Sequence, residues 1–156
     1  MKTRFGILCG LVLLLGACNS AYYGTMEKLG VHKRDIMVDR VVAARDAQTE
    51  AKEQFLTAME QFKGVVAFQG GDLEREYHKL DATLQASEAS AAAVRERIGA
   101  VEDVSEALFS EWETELGQYT SDTLRQASQR KYDATKRKYT QLLAAMKRAE
   151  ARLEPV

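Results

Sequence analysis

The chain has 156 residues, with 22 Lys and Arg against 23 Asp and Glu, two histidines, two cysteines and one proline. Such a balanced charge argues against a bulk nucleic-acid partner. A composition led by Ala, Glu, Lys, Arg, Gln and Leu, without a β-rich run bounded by turn residues, excludes a sheet protein.

Lys2 and Arg4 precede an apolar run, Phe5 to Ala17, that ends in Leu15-Gly16-Ala17-Cys18. A basic start, an apolar stretch and small residues before a cut make a secretory signal. The 13 residues from Phe5 to Ala17 fall short of the roughly 20 that span a bilayer. The stretch resembles a bacterial lipoprotein signal, which implies that residues 1–17 are removed and that Cys18 receives lipid and becomes the new N-terminus. Acyl chains contribute ~0.8 kcal/mol per buried CH₂, so a multiply acylated cysteine anchors stably. Asn19 rather than Asp follows it, which by the same resemblance favours the outer membrane. Removal of the signal leaves 20 basic against 23 acidic residues, a net charge of −3. Cys9 leaves with the signal, so no thiol remains for a disulfide or zinc site. Residues 18–31 read as a lipidated tether, because Gly24 and Gly30 interrupt any pattern.

Residues 32–156 read as a helical bundle, with helices over about 32–69, 72–118 and 121–154. In the first, apolar residues recur at Met37, Val41, Ala44, Ala51, Phe55, Ala58, Phe62 and Val65, alternating steps of four and three. Gly70-Gly71 breaks it, and Asp72 suits an N-cap. The second seam runs Leu73, Tyr77, Leu80, Leu84 and onward through Ile98 and Val101 to Leu108 and Trp112. The third runs Ser128, Tyr132, Thr135, Tyr139, Leu142, Met146, Ala149 and Leu153. Folded back, the first two seams pair Val41 with Val101 and Ala51 with Ala91; the last two pair Trp112 with Ser128 and Val101 with Tyr139. The expectation is an all-α, elongated antiparallel three-helix coiled-coil bundle. Charge agrees: residues 99–122 hold seven acids and no base, while 125–152 hold nine bases and two acids. In this register the third helix stops short of the first turn. It leaves Ala58, Phe62, Val65, Leu80 and Leu84 uncovered, a partner surface or the seat of a continuation beyond Val156. Cys18 is expected at the opposite end, beside the turn joining the second and third helices.

Three stretches carry a resemblance: Ala21-Tyr22-Tyr23-Gly24-Thr25-Met26-Glu27-Lys28, His32 through Val41, and Asp46 through Phe55. Val101-Glu102-Asp103-Val104 and Leu108-Phe109-Ser110-Glu111-Trp112-Glu113 add to it. Together they resemble an uncharacterised proteobacterial family of predicted lipoproteins with a helical domain of unknown function. The resemblance implies an envelope address and a helical fold, and no activity. Its members continue past the position of Pro155-Val156, so by resemblance this chain is C-terminally truncated.

No constellation points to catalysis. A metal site in a bundle needs several inward carboxylates and histidines, whereas Glu74, His78 and His32 lie off apolar seams. Ser87, Ser105 and Ser128 sit on the seams without a histidine beside them and read as small polar fillers. Gly70-Gly71 follows a helix, not the strand a phosphate loop requires. The basic run containing Arg130, Lys131, Lys136, Arg137 and Lys138 can match the acids of the second helix or bind anionic lipid or lipopolysaccharide phosphates. Arg34 falls on the seam facing Leu108 and Tyr132, within reach of Glu106 or Glu111. The expected function is a non-enzymatic envelope lipoprotein on the periplasmic face. It would be held by lipid on Cys18 and engage an envelope protein or another copy, with no cofactor, small-molecule substrate or nucleic acid. The alternative is a membrane-surface protein acting through its basic third helix.

Overall fold

The computed structural model describes residues 22–67 and 72–153. The signal at 1–17, Cys18, the Gly70-Gly71 turn and Pro155 lie outside the described residues.

Four helices, rather than three, make up the described chain. Within the stretch expected to be a tether, residues 22–28 form a helix, α1. Then come α2 (Lys33–Val66), α3 (Leu73–Gln118) and α4 (Asp122–Glu150). The three long helices begin within a residue of where the periodicity expects them, but α2 ends at Val66 rather than about 69 and α4 at Glu150 rather than about 154. At 1.5 Å per residue the 46 residues of α3 extend about 70 Å.

Helix boundaries follow local chemistry. At the end of α1, Val31 N–H donates to the Met26 carbonyl at 3.0 Å and Gly30 N–H to Glu27 at 2.9 Å. Gly30 has φ +82, the left-handed residue such a terminus requires. Gly24, in contrast, is an ordinary helical residue with open space where a Cβ would be. Asp72 caps α3 by accepting from Arg75 N–H at 3.1 Å, and Ser121 caps α4 by accepting from Leu124 N–H at 3.4 Å. Each satisfies one donor that the first helical turn leaves free.

The core lies at the waist, where three helices meet. Ala44 and Ala51 of α2, Val94, Ile98 and Val101 of α3, and Met146 of α4 form one buried cluster. Small residues on α2 face larger ones on α3 and α4, which lets the layers interdigitate. Gln48, the polar gap in the first seam, donates through Nε2 to the Met146 carbonyl at 3.3 Å and so ties α2 to α4. The fully buried Ser105 hydroxyl donates to the Val101 carbonyl of its own helix at 2.6 Å. A filler hydroxyl is thereby satisfied within its own turn.

The antiparallel order is fixed by cross-helix bonds. Lys33 pairs with Glu111 at 3.2 Å across α2 and α3, and Thr83 hydrogen-bonds Gln61 at the other end. Trp112 Nε1 donates to Ser128 Oγ at 2.8 Å, the very pair the second seam register matches.

Toward the base, the α3 seam rotates. Phe109 and Leu116 are buried with Tyr132, while Trp112 is only half-buried. An α-helix drifts by ~20° per heptad relative to a strict seven-residue repeat, so 109 and 116 replace 108 as the inward positions. The same drift makes Leu143, not Leu142, the α4 residue packed on the waist cluster; Leu142 is exposed.

α1 accounts for a stripe that the seams leave out. Tyr23 is 3% exposed and packs with Ile36 of α2 and Val104 of α3. Met26, Met37 and Ala107 complete the contact. Glu27, near the other end of α1, bonds to Lys33. α1 therefore runs antiparallel to α2, on the side of the α2–α3 pair opposite α4. Tyr23 thus packs on the side of the bundle at the level of Ile36 and Val104; the expected place of Cys18 lies outside the described residues.

Candidate functional site

The two arms of the α2–α3 hairpin leave the waist and lose their cover. Phe62 and Leu84 are each 50% exposed, and Phe55, Leu73, Tyr77 and Val66 are exposed as well. Ala58, Val65 and Leu80 are half-buried between the arms. An apolar groove of about 360 Å³ runs between Phe55, Ala58, Phe62, Leu80, Leu84 and Ala91, and Leu153 closes its lower end. The five predicted surface residues are thus at the tip, and four of them line the groove. Val65 alone does not. Thr83 rather than Leu84 is the buried residue of that α3 turn, because its hydroxyl bonds to Gln61 and to the Lys79 carbonyl at 2.9 Å.

At the base, α2 and α4 diverge above α3 and leave a second groove of about 740 Å³. Met37, Val41, Leu108 and Trp112 give it an apolar lining, and Arg34, Lys131 and Glu115 stand along it. The expected partnering of Arg34 with Glu106 or Glu111 is corrected here. Lys33, one residue earlier, takes Glu111 and also Glu27. Its position on the helix faces the α1 side. Burial disfavours the Lys33 ammonium, but bonds to Glu27 and Glu111 outweigh it and raise its pKa above the ordinary value. Conversely, the bond from Lys33 holds the Glu27 carboxyl below its ordinary value.

Charge matching between α3 and α4 uses part of the basic run. Tyr132 donates to Glu113 and Lys136 pairs with Glu113 at 3.2 Å. The Tyr132 hydroxyl, and then the Lys136 ammonium, hold Glu113 below the ordinary carboxylate value. The Lys136 ammonium also stands over the rings of Phe109 and Tyr132, at 5.7 and 4.9 Å from their centroids. Higher up, Lys147 pairs with Glu102 at 2.6 Å. Arg130, Lys131, Arg137 and Lys138 remain exposed and form no ion pair among the described residues.

His78 and Glu74 form an exposed pair at 3.9 Å. Among the described residues no three of His, Cys, Asp and Glu converge as a metal would require. Burial raises the pKa of the Tyr23 hydroxyl, with Arg40 partly opposing it, and raises that of Tyr139, with a hydrogen bond to Ser105 opposing it. Arg40 Nε is buried without a hydrogen-bond partner. No described helix is long and apolar enough to cross a membrane.

Sequence reasoning missed the base groove, because Val38, Val42 and Glu115 lie off the seams. It also missed α1, whose signal was the i, i+3 spacing of Tyr23 and Met26 ahead of a glycine. No curated protein and no solved structure matches the chain. A family model does match, over residues 22–156, so it spans all four helices. The chain belongs to the family described as "Protein of unknown function (DUF2959)".

Proposed function

We propose that this protein is a non-enzymatic lipoprotein of the bacterial cell envelope. Lipid on Cys18 tethers an elongated antiparallel coiled-coil bundle on the periplasmic face, at the outer membrane, and the apolar hairpin tip engages an envelope protein or another copy. One observation carries this reading: the seam buried completely at Val94 continues to Leu84 and Phe62, each half exposed. A contiguous apolar patch on a folded chain marks an interaction surface. A photocrosslinking residue at Phe62, in the full-length protein in cells, is expected to give an adduct with a second chain. If only intramolecular products form there and at Leu80, the tip is not a docking surface. Metabolic labelling with an alkyne fatty acid tests the anchor separately; Cys18→Ser is expected to abolish it.

The second reading, binding of anionic lipid or lipopolysaccharide through α4, is favoured by the unpaired Arg130, Lys131, Arg137 and Lys138. Geometry restricts it. Three residues lie between Cys18 and Tyr22, a reach of at most about 14 Å, so the anchor holds α1 close to the membrane. Lys131 also lines the base groove that Glu27 of α1 reaches, which leaves Arg130, Arg137 and Lys138 to meet a second surface. Salt-sensitive liposome sedimentation that is lost in Lys138→Glu/Arg137→Glu would support it, and unchanged, salt-insensitive binding would reject it.

A further inference from the structure

We propose that the base groove between α2, α3 and α4 is a binding site for a single-chain anionic amphiphile, a molecule with one alkyl chain and a phosphate or carboxylate head. The volume of about 740 Å³ lies within the ~300–1,000 Å³ typical of small-molecule pockets. Met37, Val41, Leu108 and Trp112 line it with apolar surface from two helices. From the level of Glu115 to that of Val41 is about 13 residues of α3, or ~20 Å of groove at 1.5 Å per residue. That shape suits a chain rather than a ring system.

The charges along the groove select the head group. The Lys33–Glu111 pair places Arg34 of α2 level with about residue 110 of α3. The Trp112–Ser128 bond places Lys131 of α4 level with about residue 109. Two cations therefore line one level of the groove from opposite walls, and neither has a carboxylate partner among the described residues. Glu27, Lys33 and Glu111 also line the groove, and the two carboxylates are committed to the Lys33 ammonium. Glu115 lies about six residues further toward the base, some 9 Å along the axis, and forms an ion pair with neither among the described residues. His32, also on the groove wall, adds no negative charge. Two unpaired like charges at one level are stabilised by an anion bound between them, and the apolar lining holds its chain.

The only tryptophan of the chain, Trp112, reports occupancy. Hexadecyl phosphate, kept below micelle formation, is titrated into the full-length Cys18→Ser chain, so the result does not depend on lipid attachment. A saturable change in Trp112 emission at one equivalent is expected. The double variant Arg34→Glu/Lys131→Glu should weaken binding by at least about tenfold, with helicity by circular dichroism unchanged because both residues are exposed. The proposal is overturned by an unchanged affinity in that variant, by equal affinity for the uncharged hexadecyl maltoside, or by no saturable response. The same emission change with inorganic phosphate alone would also overturn it, since the chain would then contribute nothing.

Discussion

The waist and the tip of the α2–α3 hairpin are built from the same heptad rule, yet they are different surfaces. At the waist, Ala44, Val94, Ile98 and Val101 meet α4 and are closed to solvent. At the tip, Phe55, Phe62 and Leu84 occupy equivalent positions with no third helix over them among the described residues. Seam spacing thus specifies which face of a helix is apolar; it does not specify whether that face is covered. Coverage depends on how far the neighbouring helix reaches, and α4 ends at Glu150, with Leu153 the last described residue against the groove.

Mutations should separate the two regions. The largest effect is expected at Ile98, where truncation to Ala leaves a cavity in a closed cluster. It should cost about 2–5 kcal/mol, read as a lowered urea midpoint. An Ile98→Ala variant as stable as the parent would mean the waist is not the stabilising core. Next, Trp112→Phe removes the donor to Ser128 while keeping most of the apolar surface. A loss of about 0.5–1.5 kcal/mol is expected, and Ser128→Ala in the same background should add little, because the pair is then already broken.

A third expectation concerns α1 and pH. The carboxyl of Glu27 has its pKa lowered in the folded state by its bond to Lys33. Its contribution is therefore complete above the unfolded carboxyl value of about 4.3 and is lost as pH falls through the lower folded value. Lys33 has its pKa raised, so its share is present at neutral pH and lost only as pH rises through its folded value. Docking of α1 should loosen on acidification below about pH 4, seen as faster amide exchange in residues 22–28 and a solvated Tyr23 ring by NMR. Glu27→Gln should loosen it already at neutral pH and remove the acid step. Smallest of all, Phe62→Ser at the tip should change stability by no more than about 0.5 kcal/mol while abolishing the adduct formed by a photocrosslinking residue at Leu80. A large loss of stability there would show that the tip is a core after all. Hydrogen exchange sharpens the same contrast: waist amides should open only with global unfolding, and tip amides by local opening.

Much of the architecture was legible because heptads, caps and charge blocks are local records. Asp72 and Ser121 announce helix starts through their side chains, and the Trp112–Ser128 bond lies on the seam register. The readings that failed were those that depend on what lies alongside. Gly24 and Gly30 look alike in sequence, but only Gly30 takes a left-handed backbone; the other sits within α1. Arg34 and Lys33 are adjacent, and which of them reaches Glu111 depends on a rotation of the helix by one residue, about 100°. The predicted tip surface was legible as an arithmetic shortfall of one helix against two, whereas the base groove arises from the divergence of α2 and α4, which no periodicity records.

By itself the sequence determined the all-helical class, the starts of the three long helices and the antiparallel pairing, because each follows from spacing along one chain. The tertiary structure decided the rest: that α1 packs on the side opposite α4, that Phe109 and Leu116 turn inward, and that a groove opens at the base. The physical reason is that burial is a property of pairs of surfaces. A helix carries its apolar stripe wherever it goes, but only the distance and angle to its neighbours determine whether that stripe becomes core, seam or open site.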